Sequence, residues 1–148
     1  MVNIKVFILY NNIDMNESIL FNLLKEKLIP DLLPTDQYNP TDGTSIENEL
    51  ALELKCRSYC YRFLLIEKNK YDKLILHKNA RYINSTPNGG DNLTYLVYSF
   101  DVKKMPEPVW FYKWCKETTY FGPVKYVRKL VGMLDKHKAK DLTNKLFC

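Results

Sequence analysis

Residues 36–62 read DQYNPTDGTSIENELALELKCRSYCYR. The second half of this stretch decides the fold. From Glu49 to Arg57, the residues Leu50, Leu52, Leu54 and Cys56 alternate with Glu49, Ala51, Glu53, Lys55 and Arg57. A period of two is the signature of a strand, whose successive side chains point to opposite faces. The leucines therefore enter a core, and Glu53, Lys55 and Arg57 share the other face. Upstream, Asp42-Gly43 is a turn signal that can deliver Asp42 to the same end of a neighbouring strand. Taken alone, Glu53 beside Lys55 is the pattern of a surface ion pair, and Asp42 that of a turn residue bonding its own backbone. Together they are also half of a catalytic site.

On the N-terminal side, Val2–Tyr10 is a short apolar strand ended by Asn11-Asn12. Asp14 or Asn16 can cap a helix that runs to about Leu28, with Ile19, Leu20, Leu23, Leu24 and Leu28 three and four apart. Glu17 lies in its first turn, and Pro30 and Pro34 end it. On the C-terminal side, Tyr59, Tyr61 and Phe63 alternate, which suits a continuing strand or the entry to a helix. Lys68–Lys78 reads as a helix with Tyr71, Leu74 and Ile75 on one face. Asn84–Asn92 (NSTPNGGDN) is the clearest loop, and Leu93–Val102 is a strand.

From Met105 the pattern changes. Pro106 and Pro108 suit a helix start, and VWFYKWCKETTYF interleaves aromatics with Lys113 and Lys116. After Gly122-Pro123, Val124, Val127, Leu130, Val131 and Leu134 make one face of a second helix, with Lys125, Arg128 and Lys129 on the remainder. Aromatics among bases can stack nucleobases and hold phosphates. They equally form a core or a dimer face.

The segment PTDG…LALELKCR resembles the PD-(D/E)xK nuclease superfamily, which includes restriction endonucleases, lambda-type exonucleases and Holliday-junction resolvases. The resemblance covers roughly Asp36–Val102, with the N-terminal helix in addition. Thr41 stands before Asp42 where the family name has Pro, and Pro40 sits one position earlier. The resemblance implies an α+β chain with a restriction-endonuclease-like αβββαβ core, a mixed central sheet flanked by helices. It assigns Asp42, Glu53 and Lys55 to catalysis. It also assigns the carboxylates of Asp42 and Glu53, the Leu54 carbonyl and a helix acid, Glu17 in preference to Glu26, to Mg²⁺ or Mn²⁺. Asp36 is a rival for Asp42. Such an ion activates water and offsets charge on the phosphorane, Lys55 orients or deprotonates the water, and Arg57 is placed to grip a phosphate. Arg62, Lys68, Lys113, Lys125, Arg128 and Lys129 complete the expected contacts to nucleic acid, with DNA preferred to RNA.

Composition is consistent with that reading. At 148 residues the chain is expected to be one domain, with a nuclease-like part at 1–104 and a helical extension at 105–148. The net charge of +5 is uneven. Residues 1–54 carry 3 Lys against 9 acids, a balance of −6; residues 55–148 carry 19 bases against 8 acids, a balance of +11. An acidic half holding metal ligands and a basic half facing phosphates suits a nuclease, although both halves are also ordinary solvated surface. No apolar run reaches the roughly 20 residues of a bilayer span, so no membrane association is expected. The four cysteines form no zinc pattern. A reduced, cytoplasmic, non-secreted protein is expected, or one of the host cytoplasm or nucleus if the source is viral rather than bacterial. A homodimer is the expected form for cutting duplexes. Two other readings stand beside the nuclease: a non-catalytic nucleic-acid-binding protein of the same fold, and an interaction protein that uses its aromatic C-terminal third.

Overall fold

Asn16 starts the first helix among the described residues. Its Oδ1 accepts the Ile19 N–H at 2.9 Å, satisfying one of the otherwise orphaned amides of α1, Glu17–Lys27. Glu17 in the first turn and Lys25 and Lys27 in the last complement the helix dipole. Lys25 Nζ then donates to the carbonyl of Leu32 at 2.6 Å, fastening the turn that follows. Leu20, Phe21, Leu23 and Leu24 make the buried stripe. The computed structural model describes residues 14–36, 39–90, 94–117 and 123–147. The strand expected at Val2–Tyr10 lies outside these described residues.

After α1 come β1 (Leu33–Asp36), β2 (Asn39–Ser45), β3 (Leu50–Cys56), β4 (Phe63–Glu67) and α2 (Lys68–Leu74). These are followed by β5 (Asn79–Pro87), β6 (Tyr95–Phe100), β7 (Phe111–Lys116), β8 (Tyr126–Asp135), a 3₁₀ turn (Lys136–Lys138), β9 (Lys140–Asp141) and α3 (Thr143–Phe147). The main sheet has the order β1-β2-β3-β5-β6-β9, and β4-β8-β7 form a second sheet. Among the described residues every pairing is antiparallel except β3 with β5, which run parallel. A parallel pair needs a crossover, and β4 and α2 supply it. The chain is therefore a mixed α+β protein. Among the described residues no helix is long and apolar enough to cross a membrane.

Both faces of the main sheet are covered. Leu52, Leu54, Ile83 and Val97 pack against α1 and α3 on one side. Ala51, Ala80, Tyr82 and Phe100 pack on the other against α2, and against Leu64, Ile66 and Leu134 of the second sheet. At ~1.5–3 kcal/mol per fully buried leucine, a one-residue slip of β3 would expose Leu52 and Leu54 and bury Glu53, so the register is firmly set. Asp31 holds the β2–β3 turn: its carboxylate accepts from Ser45 Oγ at 2.7 Å and from the Glu47 N–H at 3.1 Å. These bonds, the Ser45 bond foremost, hold its carboxyl below the usual range.

Three expectations are corrected. Met105 onward is not a helical extension. Residues 101–110 form an irregular strap, and β7 and β8 are a hairpin that joins β4 in the second sheet. Val127, Lys129 and Val131 alternate with Arg128, Leu130 and Gly132 along β8, and the adjacent pair Leu130-Val131 lets the same letters mimic helical spacing. Asn84–Asn92 is not all loop, because β5 continues to Pro87 and fully buries Asn84, Ser85 and Thr86. Their polar letters mimic a loop, while pairing to β3 and β6 makes them strand. Lastly, β4 does not continue β3: the chain leaves the main sheet at Arg57 and returns as an edge of the second.

Candidate active-site cleft and basic hairpin

The alternation of β3 places Glu53 and Lys55 on the face opposite Leu52 and Leu54. Glu53 stands beside Tyr82 of β5, and Lys55 beside Asn84. On the other flank Gly43 of β2 faces Leu52. Asp42 and Glu53 are the next residues outward from that pair, so β2 and β3 carry them in adjacent positions. The side chains of Asp42 and of its rival Asp36 lie outside the described residues. Leu54 pairs with Ile83 and turns its side chain into the α1 core.

A cleft of about 310 Å³ opens over this end of the sheet, with Thr35, Thr44, Glu53, Lys70 and His77 on its walls. The Glu53 side chain is 15% exposed, and its Oε1 lies 2.8 Å from Lys70 Nζ of α2. Among the described residues Lys55 forms no ion pair, so β3 offers a half-buried carboxylate already neutralised and a half-buried ammonium that is not. Lys70 escapes a sequence reading because its partner depends on which sheet face α2 covers.

Arg57 is drawn inward rather than left on a phosphate-binding surface. Its Nε donates to Asn84 Oδ1 at 3.0 Å, and its Nη2 to the Tyr82 hydroxyl at 2.8 Å and to the Leu65 carbonyl. Tyr82 donates to that same carbonyl at 2.8 Å. Burial pushes the Tyr82 phenol up to about 12, against the opposing pull of the Arg57 charge. The alternation of Ala80, Tyr82 and Asn84 was the available signal for this network, hidden by the loop-like letters after it.

Glu17 does not join Glu53. It lies close enough to Cys56 to help raise that thiol, which burial chiefly pushes up to about 12. Cys56 sits with Leu52 and Leu54 on the α1 side, so the helix acid and Glu53 approach the sheet from opposite faces. Among the described residues no three His, Cys, Asp or Glu side chains cluster as metal ligands.

The expected phosphate contacts divide into two groups. Arg62 pairs with Asp135 at 3.5 Å, Lys68 with Asp72 at 2.8 Å, and Lys129 with Glu67 at 2.7 Å. Lys113, Lys125 and Arg128 are exposed on or beside the β7–β8 hairpin. Arg128 lies over the Tyr112 ring, 4.3 Å from its centroid. Comparison with protein-family models, with curated proteins and with solved structures gave no match.

Proposed function

We propose that this chain is a divalent-metal-dependent nuclease that hydrolyses phosphodiester bonds through Asp42, Glu53 and Lys55. One observation carries the reading: Glu53 and Lys55 share one face of β3, with Glu53 on the wall of the cleft, and β2 runs alongside at Asp42. The order α1-β1-β2-β3-α2-β5, interrupted by β4 of the second sheet between β3 and α2, with α1 and α2 on opposite faces, supports it, since the resemblance to the PD-(D/E)xK superfamily implies an αβββαβ core.

The carboxylates of Asp42 and Glu53 and the Leu54 carbonyl are hard oxygen donors that suit Mg²⁺ or Mn²⁺. When bound, such an ion supplies an activated water and stabilises charge on the transferring phosphoryl group. Glu53 exchanges its Lys70 partner for that role. Lys55, half-buried and without an ion-pair partner among the described residues, orients the water and offsets negative charge developing on the phosphorane.

The Glu53–Lys70 pair also favours a second reading, a nucleic-acid-binding protein of this architecture that does not cut. Cleavage of labelled single- and double-stranded DNA and RNA with Mg²⁺, Mn²⁺ or EDTA separates the two. Metal-dependent cutting that falls at least roughly 100-fold in Glu53→Gln and in Lys55→Ala is the expected outcome. Equal cutting by wild type and both variants removes Glu53 and Lys55 from the chemistry, and no cutting by any leaves the binding protein.

A further inference from the structure

The face of the second sheet that is buried at Leu64, Ile66 and Leu134 continues along the hairpin into solvent. There it carries Tyr112, Trp114 and Lys116 on β7, and Tyr126 and Arg128 on β8. Trp114 stands opposite Arg128, and Lys116 opposite Tyr126. Tyr112, Trp114 and Tyr126 are 60%, 67% and 59% exposed, more than folding alone favours for three large rings side by side. From Phe111 to Leu130 the sequence holds five bases (Lys113, Lys116, Lys125, Arg128 and Lys129) and one acid, Glu117. On the reverse face Lys113 stands opposite Lys129, whose charge is met by Glu67 of β4 at 2.7 Å.

We propose that this face binds single-stranded nucleic acid, with Tyr112, Trp114 and Tyr126 stacking unpaired bases and Arg128 and Lys116 holding the phosphates between them. This names the substrate form for the nuclease proposed above and rests on that reading. Alternate residues of a strand stand about 7 Å apart on one face, so Trp114 and the face of Tyr112 that Arg128 does not cover lie in a row for splayed bases. A duplex keeps its bases stacked on each other and offers no such faces. A second copy of this chain is disfavoured by charge, because it would bring two basic surfaces together. The hairpin is rooted beside α2, which packs against both β3 and β8, so a strand lying on it is delivered toward the helix that bears Lys70.

The test is fluorescence titration of the full chain in EDTA, where nothing is cut, with oligothymidylate, oligouridylate and a blunt duplex. Trp114→Phe serves as the blank for signal from Trp110. Both single strands should quench Trp114, and the duplex should bind at least roughly ten-fold more weakly. Trp114→Ala and Tyr112→Ala should each weaken binding about 5- to 100-fold, whereas Trp114→Phe keeps most of it. Arg128→Ala should flatten the salt dependence by about one unit of slope. All these side chains are exposed, and unchanged melting temperatures check that the variants fold. Binding without quenching, equal affinity for the duplex, or wild-type affinity in Trp114→Ala overturns the proposal. If it fails while metal-dependent cutting persists, only the platform is wrong. If the oligonucleotides bind as expected and nothing is cut, the nuclease reading falls and the platform stands.

Discussion

The Glu53 carboxylate on β3 and the Lys70 ammonium on α2 meet at 2.8 Å across the cleft wall. On the proposed reading, Lys70 occupies the space that a divalent ion at Glu53 would need. Replacing it by methionine should raise Mn²⁺ affinity by roughly ten-fold, the equivalent of one 1.4 kcal/mol interaction. Calorimetric titration of Mn²⁺ into Lys70→Met and into the double variant with Glu53→Gln measures this. Unchanged affinity in Lys70→Met would mean that Glu53 is not a ligand.

Arg57 ties the end of β3 to β5 and to β4 through Asn84, Tyr82 and the Leu65 carbonyl. Arg57→Ala leaves these acceptors, of which Asn84 and Tyr82 are buried, short of a charged donor, at a cost of roughly 2–4 kcal/mol. Urea unfolding should show a lower midpoint with little change in slope. Loss of nucleic-acid affinity at undiminished stability would instead return Arg57 to a phosphate-binding role.

Alkaline pH should loosen the fold through Tyr82. Burial pushes its phenol in the folded chain from the ordinary 10.0 up to about 12. The folded state therefore keeps a proton that the unfolded chain has released. The stabilisation is complete below pH 10 and is lost as pH rises toward 12, roughly 2–3 kcal/mol in all. Cys56, also raised to about 12, begins its own loss near pH 9. Denaturant midpoints between pH 8 and 12 should fall less steeply in Tyr82→Phe than in wild type. A parallel fall in both proteins removes Tyr82 from the account.

Gly43 lets β2 approach α1. A Cβ there would lie 2.7 Å from Leu32 Cδ1 and 3.1 Å from Phe21 Cε2, and Leu32 is fully buried with no room to retreat. Gly43→Ala should cost about 1–3 kcal/mol by overpacking. It should also move the neighbouring Asp42 position, so that metal-dependent cleavage declines by more than the folded fraction does. Thermal melts and cleavage rates on the same preparation separate the two effects.

What could be read from the sequence was local. Asn16, Glu17 and the apolar stripe of α1 announce that helix, and the alternation in LALELKC announces β3 with its two faces. Asn84, Ser85 and Thr86 look like loop because their strand character comes from neighbours on β3 and β6, which are distant in sequence. The hairpin looked helical because Val124, Val127, Leu130 and Val131 fit a period of 3.6 as well as a period of two over so short a span. The same limit applies to the site. Glu53 and Lys55 could be put on one face from spacing alone. That Lys70 would reach Glu53, and that Glu17 would lie across the sheet beside Cys56, depends on which face each helix covers. No local pattern encodes that choice.

The separation of β4 from its partner bears on how the chain acquires its shape during synthesis. Phe63 pairs with Asp135 and Glu67 with Val131, 64 to 72 positions later. Until β8 leaves the ribosome, Phe63–Glu67 (FLLIE) is an apolar strand with an open edge, in a chain whose β3–β5 pairing can already form. Distant pairing of this kind slows folding and prolongs exposure of a sticky edge. A nascent chain stalled before Tyr126 should therefore recruit holding chaperones through β4 and release them only once β8 has emerged.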